Sequence, residues 1–336
     1  MKRTLQICHF SIGLALVVVL LGGWTRITDA GLGCPDWPGC YGEMVLPFGE
    51  EKLQQAQQRF PEQPLVSSKG WMEMVHRYAA GTLGLVILAL AVMGWKQRRQ
   101  PNYPLNLSLG LLVLVVVQGA FGMWTVTLKL LPQVVTIHLL GGLLTLTLLL
   151  GLRYRLLALM GPGVQTEQTP QRRWLVMLGA GLLFGQITLG GWTSANYAGW
   201  ACTDWLLCDR EHSVEYDFDA GFALPVYDGQ SHEGGQKSRD ARAAIQMVHR
   251  GGALVVSVYL LGLCLLWRRH EELLVPVATI ALLVIAQNLL GMLNVVWALP
   301  RPLAIAHHGG AVALLVSLGW LYTRIGLTPE GVKHAK

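Results

Sequence analysis

Four histidines lie inside long apolar runs of the chain: His76, His138, His249 and His307. An ionisable side chain within a membrane span is costly, and it marks a functional site by default. Each follows the start of its run by roughly four to six residues, on the order of 6–9 Å at the helical rise. The four therefore share one layer near one face of the membrane. A lone membrane histidine usually makes an interhelical hydrogen bond; four at matched depth point to ligation. A pair of imidazoles on facing helices can hold an iron porphyrin axially. Zinc or copper is the alternative, but such sites usually add thiolates or carboxylates, and only Glu73 is near.

The neighbours of the histidines suit a flat macrocycle. Gly81, Gly84, Gly141, Gly142, Gly251, Gly252, Gly309 and Gly310 follow them closely and leave room between helices. Arg77 and Arg250 directly follow a histidine, and a guanidinium pairs bidentately with a carboxylate such as a haem propionate. Their alternative task is snorkelling to the interface. There is no Cys-x-x-Cys-His, which excludes covalent c-type haem. His9, His270 and His334 fall at the ends of runs, and His212 and His232 in a polar loop, so all five read as bystanders. His308 adjoins His307 and competes with it as a ligand.

One carboxylate stands out. Glu73 precedes His76 by three residues, as Gln246 precedes His249, so each shares a helix face with its histidine. Glutamine keeps the shape of glutamate but cannot ionise. The first site is therefore expected to be catalytic, with Glu73 as acid, base or electrostatic stabiliser, and the second to carry a resident haem. Two cysteine pairs, Cys34 with Cys40 and Cys202 with Cys208, each enclose five residues above the histidine layer. They read either as disulfide staples over the sites or as redox-active thiols. Cys8 and Cys264 lie within spans and read as packing residues.

The elements that position these residues are membrane helices. The 336-residue chain is 52% hydrophobic and 14% charged, well below the ~25% charge of soluble domains. Eight runs are long enough to span a bilayer, near 7–25, 72–95, 105–127, 132–152, 174–194, 243–267, 273–298 and 302–322. The first run is not a cleaved signal, because its repeat partner, 174–194, is internal. The net charge of +6 is a topology signal, not a nucleic-acid one. Lys96, Arg98, Arg99, Arg153, Arg155, Arg172, Arg173, Arg268 and Arg269 mark the cytoplasmic side, whereas loops 27–71 and 195–242 are acidic. Glu211 belongs to the second of these. Both termini are then cytoplasmic, and the cysteine loops face the oxidising side.

The chain is also duplicated. Between Gly22 and Cys40, ten of nineteen positions recur 168 residues later, and "QGAFGMW" at 118–124 echoes "QNLLGML" at 287–293. Four spans per half make this a parallel repeat. The expected architecture is an all-α integral membrane protein of two pseudo-symmetric four-helix bundles, residues 1–160 and 161–336.

The stretches "GGWTRITDAGLGCPDWPGC", "EMVHR", "VTIHLLGG", "QMVHR" and "AIAHH", with eight spans in paired halves, resemble the haem A synthase family over nearly the whole chain. The resemblance implies oxidation of a ring methyl of haem O to the formyl of haem A, by successive hydroxylations with loss of water. It implies that His249 and His307 ligate haem b, that His76 and His138 ligate the substrate haem, and that Glu73 is the essential carboxylate. It further implies a bacterial plasma membrane location, haem O synthase as supplier, an external electron donor, and cytochrome oxidase assembly as product acceptor. An oligomer is compatible with it.

Two other classes compete. A di-haem electron-transfer protein would place one haem layer near each face, whereas all four histidines fall in one. A transporter would carry polar groups along a midplane pathway, yet span centres such as "LGLVILALAVMG" are apolar.

Overall fold

The computed structural model describes residues 1–160, 170–206, 208–209 and 214–325. Glu211, His212 and His334 lie outside the described residues. Among the described residues, eight helices are long and apolar enough to cross a membrane. They are α1 (Lys2–Ile27), α3 (Ser67–Lys96), α4 (Leu105–Thr127), α5 (Pro132–Met160), α6 (Pro170–Ala195), α8 (Arg239–Trp267), α9 (Leu274–Val296) and α10 (Arg301–Ile325). The short helices α2 (Glu50–Arg59) and α7 (Phe218–Phe222) lie in the two cysteine loops. Hydropathy finds the long helices because a spanning backbone must bond to itself. It misses where four of them start. α1 and α3 begin at Lys2 and Ser67, five residues ahead of the expected 7 and 72, and α6 and α8 at Pro170 and Arg239, four ahead of the expected 174 and 243. At α8 the start is set by a polar cap, the Ser238 hydroxyl accepting the Ala241 N–H at 3.2 Å, and not by lipid.

The long helices pack as two closed rings. α1 touches α3 and α5, and α4 touches the same two; α6 touches α8 and α10, and α9 touches the same two. The rings meet where α5 packs on α6 and α10, and where α10 packs on α1. Leu143, Leu146, Leu149, Leu152 and Leu156 of α5 are consequently fully buried. Lipid is as apolar as leucine, so such contacts stabilise by close packing and not by escape from water.

Backbone features recur between the halves even where side chains differ. The α4–α5 turn places Lys129 and Leu130 in the left-handed region, as the α9–α10 turn does Ala298 and Leu299. In both, the second residue's N–H closes the helix end, Leu130 on Thr125 O at 2.8 Å and Leu299 on Asn294 O at 2.7 Å.

Candidate functional site

Each of the four histidines rests on a glycine of a neighbouring helix. A Cβ built on Gly22 of α1 would stand 3.0 Å from His76 Cε1, and one on Gly122 of α4 would stand 3.4 Å from His138 Cε1. The same holds for Gly190 of α6 against His249 (3.2 Å) and Gly291 of α9 against His307 (3.3 Å). A Cβ at Gly22, Gly190 or Gly291 would make its imidazole give by a few tenths of an ångström, and one at Gly122 would sit in contact with His138. Nδ1 of His76, His138 and His307 is buried without a hydrogen-bond partner. A Cβ at Gly81 or Gly251 would meet nothing within 4 Å. Paired imidazoles on seats without side chains, beside open helix faces, fit an iron porphyrin in each ring.

Not every glycine expected to make room does so. Gly141, Gly252 and Gly310 are filled by the amides of Gln118, Gln186 and Gln287. Sequence reasoning missed these glutamines and the seat glycines as a set. The signal was present: Gln-x-x-x-Gly occurs at 118–122, 186–190 and 287–291.

The cysteine loops sit at the histidine end of the rings. Cys34 is bonded to Cys40 and Cys202 to Cys208, with Cα–Cα separations of 4.8 and 4.3 Å. The aspartate two residues after the first cysteine shapes each loop. Asp36 accepts from the N–H of Tyr41 (2.6 Å) and Gly42 (2.8 Å), and Asp204 from that of Leu206 (2.7 Å). Arg77 donates to the carbonyls of Asp36, Pro38 and Gly39. Arg250 donates to those of Asp204 (3.0 Å) and Trp205 (2.5 Å). Both arginines thus hold their loop down, a task the sequence did not suggest for them. Arg250 keeps one terminal nitrogen buried and unpartnered.

Glu73 is only 4% exposed. Oε2 accepts the Cys34 N–H at 2.9 Å, and Oε1 pairs with Arg77. The carboxylate therefore joins helix, disulfide loop and arginine in one network. Its counterpart Gln246 is equally buried, and its Oε1 has no partner.

His308 has a different surrounding. Its Nε2 lies 3.1 Å from Val19 O on α1, and its ring lies against Gly23. Gly191, 168 residues on from Gly23, is instead approached by Leu139. His308 and Leu139 each adjoin a proposed ligand and fill a glycine notch in the opposite ring. Of the bystanders, His9 accepts from Arg153 Nε at 2.9 Å and His270 lies 3.8 Å from Glu272. His232 is buried in the second cysteine loop. Cys8 and Cys264 are free and buried.

That second loop leaves its own ring. Gln133 of α5 donates to Pro225 O (2.7 Å), Lys129 to Gly229 O (2.9 Å), and the His232 N–H to Lys129 O (2.9 Å). Lys69 of α3 pairs with Glu233 at 3.3 Å. Residues 225–233 thus form a strap across the first ring, tied at its base by Lys237, which donates to Ala220 O and Ala223 O.

The sequence profile of the family described as Cytochrome oxidase assembly protein (COX15-CtaA) matches residues 6–318. The chain is 41% identical to the Heme A synthase of Shewanella oneidensis, over 90% of this chain and 91% of that protein. It is 28% identical to the Heme A synthases of Chelativorans sp. (91% and 87% covered) and Caulobacter vibrioides (90% of each).

Proposed function

Because the chain belongs to the COX15-CtaA family of cytochrome oxidase assembly proteins, we propose that it is a haem A synthase whose first ring works on the substrate and whose second ring holds a resident haem. The observation that carries this is the histidine seat, repeated four times in two rings, with an ionisable partner at Glu73 and a neutral one at Gln246. His76 and His138 take the iron of haem O, and His249 and His307 that of haem b. Bound haem b supplies one-electron chemistry. The pairing of halves as a parallel repeat is supported by contacts between positions 168 apart: Arg26 with Ser194 O, and Tyr197 Oη donating to Asp29 at 3.1 Å.

The reaction takes a ring methyl to a formyl group. Each of two hydroxylations inserts one oxygen atom of dioxygen into a C–H bond of the methyl carbon, while two electrons from the external donor and two protons reduce the other oxygen atom to water; the resulting geminal diol loses water. Glu73 is the acid–base or electrostatic group of this ring. Both its oxygens are already bonded, so it reaches the substrate by releasing one. Oε1 is the one to release, since Arg77 retains three loop carbonyls without it. Arg250, with a buried unpartnered nitrogen, suits a haem b propionate. Arg77, engaged by Glu73 and the loop, serves a substrate propionate only by partial release. The strap and the disulfide loop keep water from the first ring.

The short turns at the end opposite the disulfides carry Lys96, Arg98, Arg99, Arg268 and Arg269, while most of the acidic residues lie in the two cysteine loops, which supports a bacterial inner-membrane topology with both termini cytoplasmic. Haem O synthase supplies the substrate, a separate reductase the electrons, and cytochrome oxidase assembly takes the product.

The test is to purify the protein from cells that make haem O but lack haem A synthase, and to identify the extracted haems by chromatography and mass. Haem A or its hydroxylated precursor alongside haem B is expected. Haem B alone, at two per chain, would make the protein an electron carrier instead.

A further inference from the structure

At three of the four histidine stations, the helix that carries the seat glycine also carries a glutamine one turn before it. These are Gln118 and Gly122 on α4, Gln186 and Gly190 on α6, and Gln287 and Gly291 on α9. Each amide occupies the notch left by a glycine three residues after the histidine, where no Cβ would fit: Gly141, Gly252 and Gly310. Gln186 Nε2 lies 3.0 Å from His249 Nδ1 and donates to His249 O at 2.9 Å.

Orphaned polar atoms collect at these notches. Oε1 of Gln186 and of Gln287 is buried without a partner, and so is Nδ1 of His138 and of His307. Buried groups left in that state call for a physical explanation. An imidazole that gives Nε2 to iron carries its proton on Nδ1 and needs an acceptor there, which fixes tautomer and ring orientation. The two ends of an amide are assigned by the network around them, and a half-turn presents Oε1 in place of Nε2. At Gln287 and His307 one bond then satisfies a donor and an acceptor that are otherwise orphaned, and at Gln186 it replaces the bond to the His249 carbonyl.

We propose that Gln118, Gln186 and Gln287 are positioning residues, whose amide oxygens accept the Nδ1–H of His138, His249 and His307. His76 is the exception. The places that correspond to the glutamine and the notch glycine hold Val18 and Ala79, and its Nδ1 stays orphaned. The second ring thus holds its haem by two ligands that each have a glutamine beside them, and the first by one with a glutamine and one without. This rests on the reading of the histidines as haem ligands.

The experiment is a redox titration of haem b in the purified protein, with low-temperature EPR of the ferric form. Loss of the acceptor makes the imidazole a poorer donor to ferric iron. Gln186→Leu and Gln287→Leu are therefore expected to raise the midpoint potential, and Gln186→Glu, a stronger acceptor of the same shape, to lower it. Removing the partner of a metal-bound imidazole costs about 10–100-fold in affinity, and a tenfold change in the ferric-to-ferrous binding ratio is about 59 mV. Should Gln186→Leu fail to retain haem, Gln186→Glu still reads the effect. Unchanged potential and EPR in the haem-containing variants would overturn the inference alone, provided His249→Ala loses haem b. Retention of the full haem b signal by His249→Ala would overturn the ligand assignment, and this inference with it.

Discussion

The two rings carry the same histidine seats but differ in what surrounds them. Around His249 and His307 lie neutral Gln246, an arginine with a spare nitrogen, and two glutamines in notches. Around His76 and His138 lie a buried carboxylate locked to an arginine and a disulfide loop, one glutamine, and a strap borrowed from the other ring. On the proposed function, the second ring is furnished to keep a haem in one place, whereas the first has a buried carboxylate, a cover drawn from the other ring and one histidine with no glutamine beside it. The rings thus share their histidine seats and their α4–α5 and α9–α10 turns, and differ in a few side chains and in their cysteine loops.

The largest effects test the division of labour itself. His249→Ala is expected to abolish the haem b spectrum, whereas His76→Ala should leave that spectrum intact and abolish product. A spectrum lost equally in both variants would erase the distinction between rings. Next comes Glu73→Gln, which gives the first ring the polar residue of the second. It removes an acid–base group, whose usual contribution is about 10²–10⁴-fold in rate, and leaves Arg77 without its anion. Turnover should fall by that order with haem b unaltered. A fully active variant would show that Glu73 only anchors the loop.

A graft runs the comparison in the other direction. Val18→Gln with Ala79→Gly would build the fourth glutamine notch beside His76. Support of this kind is worth about tenfold or more in retention. Product haem should therefore co-purify with the variant, and turnover should slow by a similar factor. Unchanged release would mean that ligand support does not govern exchange.

How far the sequence foretold this arrangement depends on what kind of fact is at issue. The eight spans were legible because each is a property of one segment. So were the four histidines, the cysteine pairs and the Glu73–Gln246 difference, which declare themselves as polar groups in apolar or repeated surroundings. The seats were not. Gly22 under His76 and Gly122 under His138 are relations between helices, and hydropathy reports only the contrast of lipid with water. Nor did it show Glu73 turned toward Cys34, since a shared helix face spans about 100°. The strap was invisible for the same reason: Pro225 and Gly229 meet Gln133 and Lys129 through backbone carbonyls, which carry no sequence signature.

The strap gives a smaller effect. Lys129→Ala or Gln133→Ala removes one bond across the rings, worth about 1 kcal/mol. Amides of residues 225–233 should then exchange about fivefold faster, with the rest of the protein unaffected. His232, 5% exposed, adds a pH dependence. Burial holds its imidazole below the ordinary value of 6.5, with Asp228 opposing the shift and Lys237 adding to it. The packed strap therefore favours the neutral ring, and the released strap binds the proton more readily. Its stability should be fully present above about pH 6.5 and decline as pH falls below that. Protection of the strap amides, taken relative to the intrinsic exchange rate at each pH, that does not change between pH 7.5 and 5.5 would contradict this.

The smallest expected effect discriminates most sharply between neighbouring residues. His308 stands beside His307, yet Leu139 stands in the same relation to His138 and fills the matching notch at Gly191. If His308 is the counterpart of Leu139, His308→Leu exchanges one filling for another. It loses a bond to Val19 O, about 1 kcal/mol, and gains an apolar side chain in an apolar interface. Haem b content and EPR should match the parent, with thermal stability shifted by a few degrees at most. His307→Leu should lose haem b outright, because Gly291 and Gln287 frame that imidazole and not its neighbour. The reverse outcome would move the axial ligand to a residue that faces α1, and would draw the haem out of the second ring into the seam between the two.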